Sequence, residues 1–416
     1  MVGGCNSYQK LPEVVCLKNS SHEIKSIDLS ESNSDLSFLK KTLNDDSVNV
    51  VMLGEQTHYD GTTFIAKSKL VKFLHEECGF DVLAFESGFY DCNKGWELIK
   101  QDKDYDWIKA AIFGHWGYSK EFSSFIKYLQ GTLNTPNPVI LSGFDDALTG
   151  SVSTKYLLQD FDKLKLLDPD STEHKQFEKL LVSLEPEYQN NADNKPDSLS
   201  LNSYILLIDN ILARLDSEKV QNASSGEILN KDFWRHVLSG LKIAYRSIFN
   251  MKNSVNSDQG NPTSNRRDSQ MADNLMWLLT NKYPGKKIIV WAANFHIMRN
   301  YSNIDFPEPM SYITKNTVTM GDLLYKSLGR KIYSISFTDY ENYFNGKASY
   351  KSIEFFLDKT GYNYSLINFR ETNLGECLNN KFFCRVNGHI ELNGEWDNVT
   401  DGIFFIREID KSAFEN

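Results

Sequence analysis

Glu55 and His58 stand three residues apart in the stretch NVVMLGEQTHYD at 49–60. A carboxylate beside an imidazole is the pairing that general-base chemistry requires. The acid fixes the ring tautomer and stabilises the imidazolium, while the second ring nitrogen takes a proton from water or a hydroxyl. If a helical turn begins here, this spacing puts both side chains on one face. The plainer alternative is a strand end, a capped helix and a surface histidine. Further polar residues close other apolar runs: Glu86 ends DVLAFE at 81–86, Asp145 ends PVILSGFD at 138–145, and Asn294 and His296 follow KKIIVW at 286–291. Two carboxylates and two imidazoles (Glu55, His58, Glu86, His296) also suit several divalent metals. Against metal stands the lack of an HExxH-type spacing, and without a GxSxG sequence a serine elbow is disfavoured.

The elements that would position these residues are legible from periodicity. Val50, Val51, Met52 and Leu53 form a short apolar run before Gly54, as expected for a buried strand. Ala66, Leu70, Phe73 and Leu74 fall on one helical stripe that Cys78 and Gly79 close, and the run at 81–86 follows. Strand, helix, glycine, strand is a βαβ unit, so its strands should be parallel. The expected fold class is α/β, with a mainly parallel central sheet flanked by helices. Ligands bind outside the carboxyl ends of such strands, so Glu55, His58, Glu86 and His296 are expected to line one cleft. Residues 151–251 change character: Ile205, Ile208, Leu212 and Leu215, then Leu238, Leu241, Tyr245 and Ile248, repeat at steps of three and four. They predict an inserted helical subdomain. The expected organisation is an N-terminal arm (1–30), a first core part (31–150), the helical insertion (151–262) and a second core part (263–416). The polar first 47 residues should lead to one helix near 35–43, and FGHWG at 113–117 should be a loop with His115 and Trp116 at a pocket. His389 reads as a turn residue without a role.

Gly54, Glu55, Gln56, Thr57 and His58, with Phe64, Leu70 and the FESGF at 85–89, resemble the erythromycin esterase family. Arg267, Asp268, Met271, Ala272 and Asn274, then WAANFH at 291–296, look like its later signatures. The resemblance covers roughly residues 25–410. It implies a metal-independent, cofactor-free hydrolase that opens the lactone ring of macrolide antibiotics. On that reading His58 is the base, Glu55 orients it, and Glu86 and His296 position water or stabilise the oxyanion. Lys67, His115, Trp116, Glu121, Asp145, Arg267 and Asn294 would contact substrate. Two positions depart from the family pattern: Ala293 stands where a histidine is common, and Lys67 where an arginine is common, which loses a flat bidentate group. A related esterase with another substrate, or a non-catalytic binder, are the alternatives.

Composition narrows the partners. A net charge of −10 argues against nucleic acid, and 41% hydrophobic residues suffice for a large core. No apolar run approaches the ~18 residues of a membrane span. A monomer acting on a small molecule in the cytoplasm is expected. Val2, Gly3, Gly4 and Cys5 also resemble the end of a trimmed lipoprotein signal, which would anchor the protein in the periplasm. The six cysteines lack CxxC spacing and read as free thiols, although Cys377 and Cys384 are close enough to bridge.

Overall fold

The computed structural model describes residues 8–191, 194–217, 230–253, 263–376 and 378–414; Cys5 and Cys377 lie outside them. In chain order the strands are β1 (Ser21–Ile24), β2 (Val50–Leu53), β3 (Phe80–Gly88), β4 (Ile140–Asp145), β5 (Lys287–Trp291), β6 (Ile332–Asn342), β7 (Gly346–Lys347), β8 (Tyr364–Asn368), β9 (Phe382–Asn387), β10 (Ile390–Gly394) and β11 (Gly402–Ile409). Among the described residues, one sheet runs β1-β8-β11-β6-β2-β5-β3-β4 with β7 on β6, and β9 pairs with β10 in a second. The protein is α/β with a mostly parallel central sheet flanked by helices. β2 lies between β5 and β6, parallel to both, whereas β8 and β1 are antiparallel additions at the edge. Every residue of β2 is buried, which explains an unbroken apolar run instead of alternation.

The chain divides into two compact units. The first comprises residues up to Ala84, Tyr118–Ile140 and the chain from Leu279; the second comprises Phe85–Gly117 and Leu141–Leu278. These bounds differ from the expected organisation, because Phe85–Gly117 groups with the helical stretch. In the second unit, the helices Ser198–Ser217 and Lys231–Lys252 bury Ile208, Leu215, Leu238, Leu241 and Tyr245 from the anticipated stripes.

Several local expectations are corrected. Residues 8–24 are no arm: they include the helix Pro12–Ser20 and then β1, because Leu17 has a place in a core with Ile353, Leu357 and Ile367. Residues 54–60 are a turn ahead of the helix Gly61–Cys78, not its first turn. FGHWG contains a helical turn, Gly114–Gly117, whose Trp116 is fully buried against Phe85 and Phe113. The glycine stop at Gly79 is as anticipated, with φ of 74° closing the helix. Cys78, Cys92 and Cys384 carry free thiols, whereas Cys16 is disulfide-bonded, contrary to the all-thiol expectation. No helix among the described residues is long and apolar enough to cross a membrane.

Candidate active site

In the first unit, the turn after β2 holds the Glu55–His58 pair. Gly54 is required there by close approach: a Cβ would lie 1.9 Å from Asn294 Oδ1. Glu55 follows, fully buried, and its two oxygens are used on opposite sides. Oε1 meets His58 Nδ1 at 2.7 Å, and Oε2 accepts from Lys67 Nζ at 2.8 Å. Lys67, on the helix Gly61–Cys78, is itself fully buried; it also donates to Ala292 O at 3.2 Å and lies 4.3 Å from the Trp291 ring centre. A lysine–carboxylate–imidazole line results. The carboxylate holds Nδ1 as the protonated nitrogen and leaves Nε2 as the basic one, and His58 keeps 32% of its side chain exposed. The spacing of three thus pairs the two residues through a turn.

Two residues expected to contact substrate have other work here. Lys67 has no exposed surface and serves as the counter-ion of Glu55. Asn294, 1% exposed, uses its side chain to bridge backbone: Nδ2 donates to Phe337 O and Val386 O, and Oδ1 accepts from Phe337 N. Its own N–H donates to Glu55 O at 2.7 Å, so the ends of β2 and β5 are tied together. His296 lies two residues on in the short helix Asn294–Ile297, 6% exposed and edge-on to Phe295. Glu121 accepts from Ser119 Oγ and Ala413 N, holding the C-terminal segment. It lines a cavity of about 580 Å³ whose walls include none of Glu55, His58, Lys67 or His296.

In the second unit, Glu86, Asp145 and Arg267 form a cluster. Arg267, on the helix Thr263–Trp277, grips Asp145 with Nε at 2.9 Å and Nη2 at 2.7 Å, and Nη2 also donates to Glu86 at 3.0 Å. Burial pushes the Asp145 carboxyl up, but the Arg267 charge and hydrogen bonds outweigh it and hold the group below the usual range. Asp146 is pushed well above that range, by burial first and then by the neighbouring Asp145 charge. Glu86 lies within β3, not beyond its end. Arg267→Gln would leave two buried carboxylates without their cation, and removing one member of such a set costs about 3–5 kcal/mol. Urea unfolding should show that loss, with Arg267→Lys intermediate because an ammonium cannot reproduce the bidentate grip. His115 stacks on Phe113 at 5.0 Å and meets Trp116 edge-on at 4.6 Å, a packed aromatic group. Trp116, fully enclosed, offers no surface to a substrate.

His389, expected to be a turn residue without a role, is buried and pairs with two buried aspartates, Asp60 and Asp339. Asp60 lies in the opening motif itself and was the available signal; His389 gave none.

The family model for erythromycin esterase matches residues 75–408. The chain belongs to the erythromycin esterase family. It is 28% identical over 322 residues to the Bacillus subtilis protein named "Putative hydrolase YbfO", covering 74% of this chain and 68% of that one. It is 24% identical over 312 residues to the Escherichia coli erythromycin esterase type II, covering 72% of each. Among solved structures, a succinoglycan biosynthesis protein superposes with a TM-score of 0.73 at 20% identity, covering 97% of this chain and 98% of that one. A mutant of the erythromycin esterase EreC in its open conformation gives 0.69 at 14% identity, covering 93% and 97%. Within the family, this member carries the turn motif with its Glu55–His58 pair in hydrogen-bond contact. The names of its sequence relatives point to hydrolase chemistry.

Proposed function

We propose that this protein is a carboxylic-ester hydrolase that opens the lactone of macrolide antibiotics, and so protects its host against them. The observation carrying this reading is the Lys67–Glu55–His58 line, a base with its orienting carboxylate built into a rigid turn. His58 Nε2 takes a proton from water, and Glu55 stabilises the imidazolium formed. The hydroxide attacks the lactone carbonyl to give a tetrahedral oxyanion. Collapse breaks the C–O ester bond, and the departing alkoxide recovers the proton from His58. The net result is addition of one water, yielding an alcohol and a carboxylic acid on an opened ring, and the acid then releases its proton to solvent. His296, if protonated, donates to the oxyanion. On this reading no metal is needed.

Ala293, where a histidine is common in the family, favours a second reading, an esterase of the same machinery with another ester as its substrate. Incubation with macrolides of different ring size, followed by mass spectrometry, separates the two. Gain of one water, persisting after exhaustive chelation, supports the macrolide reading. Hydrolysis of a simple aryl ester with the macrolides untouched supports the second, and no product from either class sinks both. Ala293→His is expected to leave turnover unchanged or to lower it, because a second imidazole would crowd a loop in which Phe295 already packs against His296 and Tyr301. His296→Ala should cost nearly as much as losing His58, as residues acting together are not additive; a rise in kcat for Ala293→His would contradict this account.

A further inference from the structure

A second histidine, far away in sequence, underpins the reactive turn. His389 lies between β9 and β10 with φ of 61° and no exposed side-chain surface. Its Nδ1 is 2.6 Å from Asp339 Oδ1 on β6, and its Nε2 is 3.1 Å from Asp60 Oδ1. With both nitrogens facing carboxylates, the ring is held as a doubly donating cation. Each aspartate in turn grips the motif. Asp60 accepts from Thr57 N and Thr57 Oγ1, both at 2.8 Å. Asp339 accepts from Gln56 Nε2 at 2.8 Å, and that amide donates also to Arg385 O. Among the described residues, this knot is also faced by Arg385 on β9, 3.4 Å from Asp339, by the Tyr343 hydroxyl, which donates to Asp60 at 3.1 Å, and by the Asn342 amide on Asp339. Gln56 and Thr57 are the two residues between Glu55 and His58, and both are anchored through this knot.

We propose that His389 is a positioning residue: as a cation joining Asp60 to Asp339, it clamps the turn that holds Glu55 against His58. The charges balance with the ring protonated, two cations (His389, Arg385) against two aspartates. Loss of that proton leaves a buried net negative charge and a nitrogen lone pair facing a carboxylate. Burial alone would lower the His389 pKa, but hydrogen bonds to Asp339 and Asp60 outweigh it and raise it to about 9. A folded-state value above the unfolded one means that the stabilisation is complete below the ordinary histidine range and is lost as pH rises through about 9. The clamp therefore releases in alkali. This inference rests on the proposed role of His58 for its catalytic consequence, but not for its structural one.

The test is hydrogen exchange read by mass spectrometry on the 54–60 peptide, corrected for the intrinsic pH dependence of exchange. It is run on wild type across neutral to alkaline pH and on His389→Asn at neutral pH, since asparagine tolerates the positive φ. The expected result is a drop in protection of roughly tenfold or more in the 54–60 peptide, with β5 and β11 unchanged, for the variant at neutral pH and for wild type above about pH 9. In parallel, kcat for ester hydrolysis falls about as much, with KM nearly constant. If the variant fails to fold, the wild-type pH series decides alone. Protection of 54–60 that ignores both pH and substitution, or that falls equally in β5 and β11, overturns the clamp. If no ester is hydrolysed by wild type, the proposed function fails while the exchange result still decides the clamp.

Discussion

His58→Asn should lower kcat for ester hydrolysis by ~10²–10⁴-fold, the usual contribution of a general base, while the protein stays folded. Asparagine can still donate to Glu55 Oε1, so the buried carboxylate keeps a partner where the imidazole had been at 2.7 Å. Because asparagine keeps a partner for Glu55, the substitution should not move the unfolding midpoint appreciably. The measurement is steady-state kinetics beside thermal unfolding of the same samples. Near wild-type turnover in a folded His58→Asn protein would remove His58 from the mechanism and transfer the base to another group.

Glu55→Gln should damage both stability and activity. Lys67 is completely enclosed, and Glu55 carries the negative charge at 2.8 Å from its ammonium. Glutamine removes the negative charge that stands 2.8 Å from that buried ammonium. Breaking one partner of a buried pair typically costs about 3–5 kcal/mol. The His58 imidazolium simultaneously loses its stabilising carboxylate, so kcat should fall as well. The double variant Glu55→Gln, Lys67→Met distinguishes the two effects. Removing both charges should restore most of the stability, as replacement of a buried pair by apolar groups often does, while activity stays lost. If the single variant unfolds at the wild-type urea concentration, Lys67 does not depend on Glu55 in the way its burial indicates.

Much of the architecture was legible along the chain because it depends on local period. The run at 50–53 reads as a buried strand, and β2 is buried at every residue between two parallel neighbours. The stripe Ala66, Leu70, Phe73 and Leu74 predicts a helix, and all four are buried in the helix that Gly79 ends. The polar first residues misled because polarity averaged over a segment hides Val14, Leu17 and Ile24, each nearly or fully buried. FGHWG misled because flanking glycines suggest a loop, whereas the aromatic packing of Trp116 sets that backbone.

Residue types and spacing alone determined that Glu55 and His58 could act as a pair and that their turn sits at a strand end, since both depend on neighbours a few residues apart. Which charge answers which could be decided only by the tertiary structure. Lys67 reads as a substrate contact until burial makes it the counter-ion of Glu55. Asn294 reads likewise until its amide is found bridging strands, and His389 reads as nothing until Asp60 and Asp339 close on it. The physical reason is distance along the chain: Asp60 and His389 are 329 residues apart, and Gln56 and Asp339 are 283 apart. A buried charge is tolerable only with its partner in place, and no local pattern records a partner brought in from the far end of the fold.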